Sequence, residues 1–318
     1  MHPFFRKSRI LTAVTRALLV GMSGVGAMLG GGTCATAEPL RVVTTLASYA
    51  DIAQAIGGAH VTTTAIASPR FNPHFIEPRP SDVLRLKRAD LFIHSGLDLE
   101  AWREPLVNAA GKPALRPGGE RELDLSHNIT LLEIPNAAVT RAHGDIHLHG
   151  NPHYWLSPEN GLTIAHAIGA KLALLDPANG EAYRRGTESF TEKLTAAIAG
   201  WRKLIAPYRG RAIVAYHNEW VYLTDFLKLT SERFLEPKPG IPPSPQHIEA
   251  IVAYVREAEV TAIVQATFHP TDAAEAVATK SGAKVVRICQ NVGELPEASS
   301  YIAMLDFNIH SIVAALRR

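Results

Sequence analysis

Cysteine is almost absent from this chain: Cys34 and Cys289 are the only two in 318 residues, so no disulfide framework can carry the fold. Aromatic residues make up only 7%, too few to furnish the stacked anchors of a siderophore- or adhesin-type cleft. Neither sign of charge dominates, with 32 Lys and Arg against 30 Asp and Glu. Four of the cations, Arg6, Lys7, Arg9 and Arg16, stand among the first 37 residues, where there is no acid, and the rest of the chain balances at 28 against 30. Such a surface has no field to attract nucleic acid or an anionic membrane. The apolar run at 17–29 is Gly-rich and falls short of the roughly 20 residues that a bilayer-spanning helix needs. An H-E-x-x-H pair and a nucleophile elbow, marks of metallo- and serine hydrolases, are missing too. What the chain does have is 47% hydrophobic content against 19% charged, enough for a large core, and 14 histidines.

The N-terminus reads as an export signal. Cations precede the apolar run, and Ala35-Thr36-Ala37 then supplies the small-x-small pattern that predicts cleavage near Ala37 and release into the periplasm. Gly31-Gly32-Thr33 lacks the branched apolar residue of a lipid-attachment site, so Cys34 is not expected to carry an anchor. Removal of residues 1–37 leaves Cys289 as the one thiol in a chain of 281 residues. That length exceeds the roughly 250 residues at which single cores begin to split, and two lobes are expected.

In the first half, short β-branched or apolar runs at 41–46, 61–67 and 91–94 alternate with helical stretches such as 82–88, a pattern that predicts a mostly parallel sheet. Between 177 and 208, Tyr183, Phe190, Leu194, Ile198, Trp201, Leu204 and Ile205 recur at helical spacing. This predicts one long amphipathic helix, opened by Asp176-Pro177 and closed by Pro207. Strands at 212–216, 261–266 and 284–288 then alternate with helices at 245–258, 271–281 and 299–316. The expected fold class is α/β, with two lobes of mostly parallel sheet, 38–175 and 209–318, joined by one long rigid helix at 176–208.

The tripeptide Asn-Pro-His occurs twice, at Asn72-Pro73-His74 and Asn151-Pro152-His153. Proline restricts φ and asparagine favours a turn, so each tripeptide can hold an imidazole rigidly where a loop meets an element. A third imidazole, His217, directly follows the strand at 212–216. Open α/β sheets bind ligands just outside the carboxyl ends of their strands. Two lobes facing each other there would bring His74, His153 and His217 together in a cleft, and three neutral imidazoles suit Zn²⁺ or another borderline divalent ion.

The stretches Asn72-Pro73-His74-Phe75-Ile76-Glu77-Pro78-Arg79-Pro80-Ser81-Asp82 and Gly150-Asn151-Pro152-His153-Tyr154-Trp155-Leu156-Ser157-Pro158, with Tyr216-His217, resemble the metal-specific solute-binding proteins of zinc and manganese ABC importers, the ZnuA/TroA-like family. The resemblance extends over nearly all of the chain beyond residue 37, including 301–308. It implies two lobes joined by a rigid helix, with a metal between them held by His74 and His153 from the first lobe and His217 from the second. It further implies a monomeric periplasmic carrier with no catalytic role, whose ligand is Zn²⁺ ahead of Mn²⁺ and whose partner is an ABC permease in the inner membrane.

In one place the chain departs from the family, which carries an Asp or Glu about a dozen residues before the match to Ser300-Tyr301. Here Cys289, Gln290 and Asn291 stand in that region. The fourth ligand is therefore open among Cys289 as a thiolate, His269 after the strand at 261–266, water, and an acid such as Glu219 or Glu236. A site without a carboxylate favours Zn²⁺ over Mn²⁺. The tract 141–150 adds His143, His147 and His149, either a metal-collecting loop or a solvated one, with His147 best placed to reach the site. The competing function is an exported three-histidine zinc hydrolase with water in the open position.

Overall fold

The computed structural model describes residues 38–135, 147–238 and 240–317. The expected signal at 1–37 and its cleavage point lie outside the described residues, as does His143. Among the described residues no helix is long and apolar enough to cross a membrane.

The first half follows the alternating pattern. Strands β1 (Leu40–Thr44), β2 (Val61–Ala65), β3 (Leu91–His94) and β4 (Glu122–Asp124) form a parallel sheet in the order β2-β1-β3-β4, with α1 (Ala47–Gly57), α2 (Pro80–Arg88) and α3 (Arg103–Ala110) as crossovers. The order reverses between β1 and β3, the kind of switch point at which α/β sheets leave a crevice. The second half places β5 (Val214–Ala215), β6 (Ala262–Ala266) and β7 (Lys284–Ile288) in a second parallel sheet, order β5-β6-β7. Helices α6 (Val221–Leu227), α7 (Pro245–Glu257), α8 (Asp272–Ser281) and α9 (Tyr301–Leu316) complete it. The three-residue β4 carries too few apolar residues for sequence periodicity to register.

Helices α4 (Pro158–Leu175) and α5 (Gly180–Ile205) connect the two sheets. The long helix expected over 176–208 is α5, 26 residues and about 39 Å at 1.5 Å per residue, with a single 3₁₀ turn at either end. It buries Tyr183, Thr187, Phe190, Leu194, Ile198, Trp201 and Ile205, all on one face. At its start the Asp176 carboxylate accepts from Asn179 Nδ2 (2.7 Å) and from the Tyr183 hydroxyl (2.8 Å), so the expected opening residue acts one turn into the helix. Near its end Trp201 Nε1 donates to Asp306 on α9 at 2.8 Å.

One core cluster runs through both halves, taking in Val42, Phe92, Trp155, Leu194, Val264 and Ile288, and a smaller one lies beneath β5 and β6 among Val214, Ile251 and Val255. Directional bonds cross the junction. Trp155 Nε1 donates to the Gln290 carbonyl (2.8 Å), the Tyr301 hydroxyl to the Trp155 carbonyl (2.5 Å), and the Tyr301 amide to Asp51 (2.8 Å). Contacts accordingly group Glu38–Arg318 into one compact unit.

The seating of α5 on α1 is tight enough to test. A Cβ at Gly186 would stand 2.0 Å from the Ile56 carbonyl oxygen, whereas one at Gly200 of the same helix meets nothing within 4 Å. Gly186→Ala should therefore destabilise by about 1–3 kcal/mol through overpacking against backbone. Gly200→Ala should be neutral or stabilising by up to about 1 kcal/mol through helix propensity. Thermal unfolding of the two variants checks the contrast, and equal shifts would mean that α5 is not seated as described.

Candidate metal centre

Each Asn-Pro-His turn works through its asparagine side chain. Asn72 Oδ1 accepts from the His74 amide at 3.0 Å, and Pro73 opens a single 3₁₀ turn whose carbonyl accepts from Trp102 Nε1 at 2.9 Å. Asn151 Oδ1 accepts from the His153 amide (3.1 Å) and also from its ring Nδ1 (3.0 Å). An amide oxygen can only accept, so the proton sits on Nδ1 and His153 Nε2 is left as a lone pair. Asn151 is held in turn through Nδ2 by the Asn218 carbonyl (2.9 Å) and Glu133 (3.1 Å). Gly150 before it adopts φ 107°, a left-handed conformation that glycine reaches without strain.

His217 leaves β5 toward the same crevice. Its Nδ1 donates to Glu236 Oε2 at 2.9 Å, and the Glu236 amide binds back to the Tyr216 carbonyl at 2.9 Å. A carboxylate behind a ring nitrogen sets the tautomer and raises the basicity of the other nitrogen. The ligand-capable atoms of His74, His153 and His217 all lie within 4.8 Å of one another. The Nε2 atoms of His74 and His153 are 3.2 Å apart, close to the edge of about 3.3 Å that bonds of 2.0–2.1 Å span in a tetrahedron. His153 and His217 are buried and His74 is half-buried. Burial, and then the neighbouring imidazoles, pushes His74 and His153 well below the ordinary imidazole value of 6.5, so both are neutral donors near pH 7.

The other sequence candidates fall around this cluster. His147 stacks on His74 with ring centroids 5.1 Å apart, and its Nδ1 is 2.9 Å from Asp98 Oδ1. His149 is exposed. Cys289, a candidate fourth ligand, is corrected by the structure: it is fully buried in the core and its backbone is clasped by Asn308 at 2.8 and 2.6 Å. Burial pushes its thiol up to about 12, far from a thiolate at neutral pH. His269, the other candidate, is also corrected. Its ring packs on Tyr216 at 4.2 Å and lies 6.3 Å from that of His217, its Nε2 meets Glu219 at 3.2 Å, and it stands outside the group of close ligand atoms formed by the three histidines. Glu219 accepts as well from Gln290 Nε2, so it and Glu236 form an outer layer. Their roles depend on pairings across elements, which spacing along the chain does not encode.

A second group that sequence reasoning missed consists of His94, Glu122 and Asp124 at the carboxyl ends of β3 and β4. His94 Nε2 meets Glu122 at 2.8 Å, and the Arg103 guanidinium lies 2.7–2.9 Å from the His94 ring. Arg103 already supplies positive charge there.

Two predictions follow from the burial and the locking of these rings. Below 6.5 the unfolded chain binds more protons at His74 and His153 than the folded one, so the ion-free protein must lose stability as pH falls from 7 toward 5. The double variant His74→Asn/His153→Asn should show a shallower loss in urea unfolding across that window, and an equal slope would refute the assignment. Asn151→Ala, which frees the His153 ring, should weaken divalent-ion binding by about 10–100-fold. Calorimetric titration with Zn²⁺ tests that expectation.

A family model described as the zinc-uptake complex component A, periplasmic (ZnuA), matches residues 42–315. The iron-binding protein YfeA of Yersinia pestis is 25% identical over 326 residues, covering 98% of this chain and 96% of that protein. The manganese ABC transporter substrate-binding lipoprotein PsaA of Streptococcus pneumoniae is 25% identical over 328 residues, covering 98% and 100%. Among solved structures, a crystal structure of ZnuA superposes with a TM-score of 0.73 at 21% identity, covering 87% of this chain and 99% of that one. The solute-binding protein FpvC of Pseudomonas aeruginosa, in complex with Mn²⁺, superposes at 0.72 and 24% identity, covering 88% and 98%. At such identities the structural likeness speaks for the fold.

Proposed function

The chain belongs to the ZnuA family of metal-binding components of ABC transporters, and on that premise we propose that it captures a single divalent ion, Zn²⁺ ahead of Mn²⁺, and delivers it to an inner-membrane permease. The observation that carries this reading is the convergence of three imidazoles, two from Asn-Pro-His turns of the first half and one from the end of β5. His74, His153 and His217 are the ligands. Nitrogen donors without a carboxylate among them favour a borderline ion over a hard one. This choice of ion belongs to the present chain, since its relatives include proteins named for iron and for manganese.

The carrier is monomeric and periplasmic, exported through cleavage near Ala37. The lobes 38–175 and 209–318 hold the ion between them, and α5 restricts their relative movement because it is a single unbroken helix buried along one face. The relatives are named as metal-binding and transporter substrate-binding proteins, which supports a carrier over the three-histidine hydrolase.

The test is a titration of stripped, mature protein with Zn²⁺ and Mn²⁺. One Zn²⁺ should bind per chain, more tightly than Mn²⁺. His153→Ala should weaken binding by more than about 100-fold, beyond what loss of an outer-layer partner costs. Cys289→Ser should bind like the parent. Unchanged affinity in His153→Ala would overturn the site.

A further inference from the structure

Three imidazoles leave one corner of a tetrahedron open. The structure offers one group suited to it. His147 is mostly buried, with its side chain 12% exposed, and its ring lies 5.1 Å from that of His74 and 5.6 Å from that of His153. Its Nδ1 is 2.9 Å from Asp98 Oδ1, while Asp98 Oδ2 accepts from the Leu148 amide at 3.0 Å. The carboxylate thus holds both the ring and the backbone next to it. Because a carboxylate only accepts, Nδ1 carries a proton, and in the neutral ring Nε2 is the lone pair. That Nε2 is buried and has no hydrogen-bond partner among the described residues. Buried polar atoms without partners are rare and costly, and one beside a metal-ready cluster calls for an electrophile.

We propose that His147 Nε2 is the fourth donor to the bound ion and that Asp98 is the residue that positions it. The proposal rests on the three-histidine site above and deepens it. In the ion-free arrangement His147 lies outside the 4.8 Å group, so its ring moves inward as the ion arrives. The resulting inner set is four neutral imidazoles. Asp98 and Glu236 then stand one hydrogen bond behind His147 and His217 and offset the charge of the ion. An all-nitrogen set explains how this chain manages without a carboxylate near Cys289, and it disfavours Mn²⁺, which prefers oxygen.

The experiment is a count of bound rings in the Co²⁺-loaded mature protein by its hyperfine-shifted proton NMR signals, beside Zn²⁺ titrations of His147→Ala, Asp98→Asn and His153→Ala. The parent should show four imidazole signal sets and His147→Ala three, with Zn²⁺ affinity at least about tenfold lower. Asp98→Asn should keep four sets while binding about 10–100-fold more weakly, the mark of a positioning residue. Three sets in the parent, or four retained in His147→Ala, overturns the proposal. If His153→Ala loses the ion while His147→Ala matches the parent in affinity and signal count, only the fourth-donor assignment falls. If His153→Ala binds normally, the three-histidine site falls with it. Unfolding of ion-free His147→Ala at the parent temperature shows that the variant is folded.

Discussion

The centre of this molecule depends on a hydrogen bond to one nitrogen of an imidazole, which directs the other nitrogen inward as the donor. At His153 the lock is the Asn151 amide oxygen, at His217 it is the Glu236 carboxylate, and at His147 it is Asp98. A free imidazole exchanges its proton between two nitrogens and rotates about two bonds. Each such partner favours one tautomer of its ring. Burial adds to this by holding His74 and His153 neutral, which is the protonation state that can ligate.

The fold serves those locks by carrying their partners on different elements. Asn151 reaches across to the Asn218 carbonyl just beyond His217, so the turn that presents one ring is braced by the loop that presents another. Trp155 extends from the second Asn-Pro-His turn to the Gln290 carbonyl, and Tyr301 closes back on Trp155. The two sheets are therefore joined within the same region that assembles the imidazoles. With α5 lying along α1, α4 and α9 and sharing their core, large excursions between the halves would break buried contacts.

The structure also bears on the stretch where the resemblance led to the expectation of an acid. The stretch Cys289-Gln290-Asn291 holds no acid, yet carboxylates are not scarce around the cluster. Glu219, Glu236 and Asp98 each face a ring nitrogen of a different histidine. Negative charge thus stands behind the rings, where it polarises their other nitrogens. Cys289 meanwhile behaves as a small hydrophobe: it is clasped by Asn308 and its thiol is held protonated by burial.

The alternation of apolar runs and helical stretches was enough to read the α/β class, the parallel sheets and the long helix, because periodicity reports which face of an element is buried. The three central histidines were legible for a local reason as well. In each Asn-Pro-His the asparagine side chain accepts from the amide of the histidine two residues on, and β5 delivers His217 directly. The outer layer was not legible. Asp98 and His147 are 49 residues apart, His217 and Glu236 are 19 apart, and Glu219 and His269 are 50 apart. No local propensity links such pairs. The sequence by itself determined which rings are rigidly presented, since that is decided within three residues. Only the tertiary structure decided which carboxylate stands behind each ring and that Cys289 turns away from the site, because those outcomes depend on how separate elements pack.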